Sequence, residues 1–198
     1  MKQKTALNSF AALIVVLLLT ATSAWADPQW LVINEIFNHP DDYNHEFIEL
    51  YNNGPCVIPL GNIGVTVGDD ITLTFPAGAE AQAGEYILCV RDASDPIWDN
   101  IKLMGIQIFE YGLSLANTTG TIDIISTSCG ATAVNDTVTF DNDAPWPEDG
   151  NNGFIEGIHS LELTDPDLDN DDGANWAGSS VDGGTPGVAN SVFIPPTL

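Results

Sequence analysis

Hydrophobic positions along this chain come in short bursts that mostly alternate with polar ones. Leu31 to Asn38, Glu46 to Asn52, Ile63 to Val67, Ile71 to Phe75, Glu85 to Arg91, Ile106 to Glu110, Gly120 to Ser126, Ala133 to Phe140 and His159 to Leu163 each read as a strand. No long stretch repeats with helical period. Gly, Pro, Asn and Asp interrupt the runs at Asn53-Gly54-Pro55, Gly68-Asp69-Asp70, Pro76-Ala77-Gly78 and Thr119-Gly120, where residues that tolerate or preset turn dihedrals are needed. The pattern predicts an all-β fold, a β-sandwich of about 8–10 strands.

Successive side chains of a strand face opposite sides. Val32, Asn34 and Ile36 are therefore expected on one face of the first strand, with Ile33, Glu35 and Phe37 on the other. In the second, Ile48 and Leu50 oppose Phe47, Glu49 and Tyr51. Asn34, Glu35 and Glu49 are polar groups expected to bond neighbouring backbone or loops. Two longer polar stretches, Asp92 to Leu103 and Asp141 to Gly157, read as crossover loops that carry Trp98 and Trp146. Such tryptophans either form a carbohydrate or protein contact surface or pin the loop to the body. Trp30 and Trp176 are expected as packing residues, and Trp176 argues that the Gly/Ser/Asn-rich text after Gly173 lies against the fold.

The amino terminus has another character. Lys2 and Lys4 precede an apolar run from Phe10 to Leu19, and Ala24-Trp25-Ala26 follows with the small-x-small pattern of a signal peptidase site. The run is about ten residues, against roughly 20 for a membrane-spanning helix. A signal peptide over 1–26, cleaved after Ala26, is expected. The mature product is expected to be secreted, extracellular or periplasmic, with no membrane span. One domain over 27–191 and a frayed tail over 192–198 complete the organisation.

Charge narrows the partners. The chain holds 28 Asp and Glu against four Lys and Arg. Two of the four leave with the signal, so Arg91 and Lys102 are the only Lys or Arg of the mature chain. Direct nucleic-acid binding is excluded on this balance, because affinity for phosphate comes mainly from Lys and Arg. Cations and basic surfaces fit it, as does plain solubility of an exported monomer. Of the three cysteines, Cys89 lies inside the apolar run Tyr86 to Val90 and reads as a buried hydrophobe. Cys56 and Cys129 lie beside turns and form the candidate disulfide.

The order of short motifs adds more. Val32-Ile33-Asn34-Glu35-Ile36 is followed by Phe47-Ile48-Glu49-Leu50-Tyr51-Asn52, Pro59-Leu60-Gly61 and Phe75-Pro76-Ala77-Gly78. Next come Ala83-Gly84-Glu85-Tyr86-Ile87-Leu88, Leu113-Ser114-Leu115, Thr119-Gly120-Thr121-Ile122 and Asn135-Asp136-Thr137-Val138. Ser160-Leu161-Glu162, Asn175-Trp176 and Gly184-Thr185-Pro186-Gly187-Val188-Ala189-Asn190 close the series. From Trp30 to Asn190 it resembles the lamin tail domain family, in its exported bacterial branch. The resemblance implies an immunoglobulin-like β-sandwich that binds or scaffolds and is not itself catalytic. The chain lacks the coiled-coil rod of lamins and has no length for an attached catalytic domain.

Two polar clusters are candidate chemistry. Asp165, Asp167, Asp169 and Asp171 alternate through a run that ends at Gly173, as in the first half of a calcium loop, though the glycine comes late and no closing Glu follows. A solvated acidic turn is the other reading. His39, Asp41, Asp42, His45, Glu46 and Glu49 combine imidazole with carboxylate, the donor set of zinc and similar ions, but lack the helical His spacing of zinc proteases. A solvated hairpin is the alternative there. No Gly-x-Ser-x-Gly, Cys-His pair or phosphate-cradling Gly loop is present. The expected function is an exported, non-catalytic binding or structural module for an unknown protein or cell-surface partner. Calcium is a candidate cofactor, and the rival is an accessory module or metal-dependent hydrolase using the His39 to Glu49 cluster.

Overall fold

The computed structural model describes residues 30–112, 114–128, 131–147 and 158–193. The expected signal peptide over 1–26 with its expected cleavage site at Ala26, Cys129, and residues 194–198 of the expected tail lie outside the described residues. Among those described are strands β1 (Leu31–Phe37), β2 (Phe47–Asn52), β3 (Ile58–Pro59), β4 (Ile63–Val67), β5 (Asp70–Thr74) and β6 (Glu80–Ala81). They continue with β7 (Tyr86–Val90), helix α1 (Asp99–Leu103), β8 (Gln107–Glu110), β9 (Gly120–Ser128), β10 (Ala131–Phe140), β11 (Leu161–Leu163) and β12 (Trp176–Gly178).

The fold is all-β. One sheet has the order β12-β11-β1-β2-β7-β8, the second β10-β9-β4-β5, and β3 pairs with β6. Every pairing is antiparallel except β7 with β8. The large sheets face each other across one core: Ile33, Ile36, Ile48, Leu50, Ile87 and Leu161 from the first meet Ile63, Val65, Ile122, Ile124, Val138 and Phe140 from the second. This is a sandwich, as the alternation predicts. Its strand number exceeds the expected ten because β3, β6 and β12 are only two or three residues long, too short to produce a readable alternation.

The six-stranded sheet is buried on its outer face as well. Phe37, Phe47, Leu88, Val90 and Trp98 form a second cluster there, with Ile101, Ile106 and Ile108 packed on it. The stretch expected as a crossover loop supplies this cover. Pro96 opens a 3-10 turn over Pro96–Trp98, the Asp95 carboxylate accepts from the Ile97 N–H, and α1 follows. The Trp98 ring is driven against Phe47 at 6.0 Å edge-on, and its Nε1–H donates to the Asp92 carbonyl. Trp98 is thus a pin, and so is Trp146, buried 5.7 Å from Trp176. No helix of the described residues is long and apolar enough to cross a membrane.

The faces expected for β2 are found. Those of β1 need correction: a bulge between Ile33 and Glu35 breaks the alternation. Ile33 and Ile36 both enter the core, and Asn34 and Glu35 both turn outward. An extra residue in one strand switches the parity of everything after it.

Candidate functional site

A row of carboxylates runs across the outer face of the six-stranded sheet. Glu35 on β1 is paired with Glu162 on β11 and with Glu49 on β2. Cross-strand partners share a face, so the three side chains stand side by side, each with no exposure to solvent. The bulge adds Asn34, whose amide donates to Glu49 Oε1 and to Asn190 Oδ1, both at 2.9 Å. No Lys or Arg among the described residues offsets the row. The two such side chains are engaged elsewhere, Arg91 over the Tyr43 ring and Lys102 with Asp99.

Neutral donors offset it instead, and most of them come from a strap, residues 183–193, laid across the row. The Thr185 N–H donates to Glu35 Oε1 and its hydroxyl to Glu162 Oε1, both at 2.8 Å. The Gly187 N–H donates to Glu49 Oε2 at 2.6 Å, and the Ser160 hydroxyl to Glu35 Oε1. Ser191 and Val192 donate to Glu162 Oε2, so residue 192, expected to begin a frayed tail, is held to the sheet. Asn190 closes the strap by donating to the Asn34 and Leu163 carbonyls. At Gly184, with φ +80°, a Cβ would lie 2.2 Å from Glu35 Oε1, so only glycine lets the strap approach this closely.

Burial drives the Glu35 carboxyl up to about 7, against the pull of the Ser160 hydroxyl and the Thr185 N–H, and the Glu162 charge adds to the rise. Burial, then the Glu35 charge, holds the Glu49 carboxyl well above the usual carboxylate range. Burial thus biases Glu35 and Glu49 toward their protonated forms, and the donors of the strap clamp the row.

The strap separates two cavities. The larger, about 650 Å³, is lined by Phe37, Phe47, Trp98 and Ile101, with strap residues 183–186 forming a wall. Asp41, Asp42, Asp182 and His45 form its polar edge. Asp42 is held there by capping a 3-10 turn over Tyr43–His45, and His45 Nε2 lies 3.7 Å from Asp95 and 4.0 Å from Asp42. The smaller cavity, about 250 Å³, lies between the strap residues Asn190 and Phe193 and the stacked rings of Tyr51 and Tyr86.

The sequence-predicted clusters are not gathered. Asp165 and Asp169 accept from backbone N–H groups two residues ahead, Asp167 and Asp171 respectively. Asp167 accepts from the Asn53 amide and Asp171 from the Thr139 N–H, both at 2.7 Å. Four carboxylates thus serve four different donors. Among the described residues no three His, Cys, Asp or Glu side chains come together as a metal site. The acidic loop docks instead through Asn170, which donates to the Ile33 carbonyl and to Asp136 while its own carbonyl takes the Trp176 Nε1–H.

The His39 to Glu49 cluster also disperses. His45 and Asp42 stand at the cavity edge, Glu46 accepts the Leu115 N–H, and Glu49 lies under the strap. Cys89 is buried within β7, and burial pushes its thiol up. Cys56 is partly exposed, and its expected partner Cys129 is outside the described residues.

Spacing along the sequence does not mark Glu162 or the strap as chemistry. Glu162 does carry a signal, a lone acid between the core positions Leu161 and Leu163. No protein-family model matches the chain, and no curated protein matches it.

Proposed function

We propose that this chain is an exported, non-catalytic binding module on an immunoglobulin-like sandwich of the lamin tail type, and that the larger outer-face cavity receives the ligand's apolar group. The observation that carries the binding reading is the cavity itself, whose size falls in the ordinary range for ligand sites and whose walls are apolar with few polar groups. Support for the lamin-tail reading comes from where its motif residues lie. Asn34, Glu35 and Glu49 from the first motifs, Glu162, and Thr185, Gly187 and Asn190 from the last meet in one hydrogen-bonded cluster. Residues from the two ends of the series thus have one shared task, closing the strap that walls the cavity. The hydrolase alternative would use the His39 to Glu49 side chains together; Asp41, Asp42 and His45 share the cavity edge, while Glu46 and Glu49 are engaged by the Leu115 and Gly187 N–H groups.

Titration with an uncharged apolar fluorophore such as Nile red tests the reading. Saturable binding is expected, weakened at least tenfold by Ile97→Arg with Met104→Arg, two half-exposed lining positions whose change should leave the circular-dichroism spectrum unaltered. Binding that is absent, or indifferent to these changes, removes the cavity from the account.

A further inference from the structure

The mouth of the larger cavity has a composition that selects among occupants. Ile97, Met104, Ile158, Val181 and Val188 all line it, and each is between 43 % and 53 % exposed. Together they form a contiguous apolar collar of the kind that marks an interaction surface. Around that collar acidic groups predominate: Asp41, Asp42 and Asp182 are exposed at the edge, and Asp95 lies next to His45. Arg91 contacts the Tyr43 ring and Lys102 pairs with Asp99, and among the described residues neither forms an ion pair with Asp41, Asp42 or Asp182.

We infer, on the cavity reading above, that the occupant is a basic polypeptide segment that inserts an aliphatic or aromatic side chain into the cavity while flanking lysines or arginines meet Asp41, Asp42 and Asp182. Apolar burial supplies the affinity, and the acidic edge supplies orientation and encounter rate. A second copy of this chain is disfavoured, because two molecules of formal charge -24 repel each other. An anionic lipid surface is disfavoured for the same reason. A neutral apolar molecule makes no use of the aspartates.

The test is a titration of the purified protein with a synthetic peptide carrying a Trp-Leu pair between two runs of lysine, beside the same peptide with glutamate for lysine. The lysine peptide is expected to displace Nile red and to bind at least tenfold more tightly than the glutamate peptide. Its affinity should fall at least fivefold between 0.05 and 0.5 M NaCl. Combining Asp41→Asn, Asp42→Asn and Asp182→Asn is expected to weaken it about as much, and the Asp42→Asn change keeps a side-chain oxygen able to cap the 3-10 turn. An equal charge change far away, Asp69→Asn, Asp70→Asn and Glu80→Gln, should leave it unaltered.

Equal affinity for the two peptides, or equal effects of the near and far charge changes, overturns the inference. So does concentration-dependent dimerisation that excludes Nile red, which would make a second copy the occupant. If Nile red binds and the lysine peptide does not, only the partner class fails. If Nile red itself does not bind, the cavity reading and this inference fall together.

Discussion

The Gly187 backbone N–H donates to Glu49 Oε2 at 2.6 Å, joining positions 138 residues apart. Through that bond the strap is fastened to the second strand, and through its neighbours to β1 and β11. The wall of the cavity therefore depends on carboxyl groups that no solvent reaches.

The fastening makes stability depend on pH. Glu35 titrates at about 7 in the fold against an ordinary 4.5, and Glu49 is also raised, so the fold favours their neutral forms. That contribution is complete below the ordinary value and is lost as pH rises through the folded one. For Glu35 it amounts to about 3 kcal/mol at 1.36 kcal/mol per unit. Urea denaturation is expected to give lower stability at pH 8.5 than at pH 6, where ordinary carboxylates are already ionised. Glu35→Gln should flatten this dependence, and an unchanged slope in the variant would show that other groups cause it.

Gly184→Ala is expected to lose about 3 kcal/mol or more, because backbone strain at φ +80° adds to a Cβ placed against Glu35 Oε1. Gly105→Ala is the control. It has φ +84° with nothing within 4 Å, and backbone strain alone should limit its cost to about 1–2 kcal/mol. Equal losses in the two variants would mean that the strap moves freely away from the row.

Trp98→Ala is expected to cost about 3–5 kcal/mol in chemical denaturation, the usual loss for a buried tryptophan. The variant should also bind less Nile red, since Trp98 both anchors the outer cluster through Phe47 and lines the cavity. Loss of stability with undiminished dye binding would place the dye elsewhere.

Calcium at millimolar concentration is expected to change the melting temperature no more than NaCl of equal ionic strength. The four aspartates of the acidic loop already serve separate donors. A larger rise, abolished by Asp167→Asn with Asp169→Asn, would mean that the loop regroups around the ion.

With reductant present, a maleimide is expected to label Cys56 in the native protein and to leave Cys89 untouched until unfolding. Cys89 is fully buried and its thiol is held far from ionisation. Mass spectrometry of the labelled peptides decides it.

By itself the sequence determined the longer strands and, in a regular one such as β2, which side chains are buried in the core. Alternation at Ile48 and Leu50 against Phe47, Glu49 and Tyr51 marks the two faces correctly, because side-chain direction in a regular strand depends only on position. Cys89 in its apolar run, Trp176 holding the late irregular segment, and hydrogen-bonding roles for Asn34, Glu35 and Glu49 were legible in the same way. Only the tertiary structure decided the rest. The β1 bulge exists through its pairing with β2, so no local pattern announces it, and it reverses the faces of Asn34 and Ile36 relative to one another. The alternating aspartates are compatible with a shared ion in sequence, yet each takes the nearest unpaired donor once Asn53 and Thr139 arrive from other parts of the chain. The carboxylate row and its strap unite residues separated by well over a hundred positions. Such a cluster arises from strand order and chain return, which spacing along the sequence does not encode.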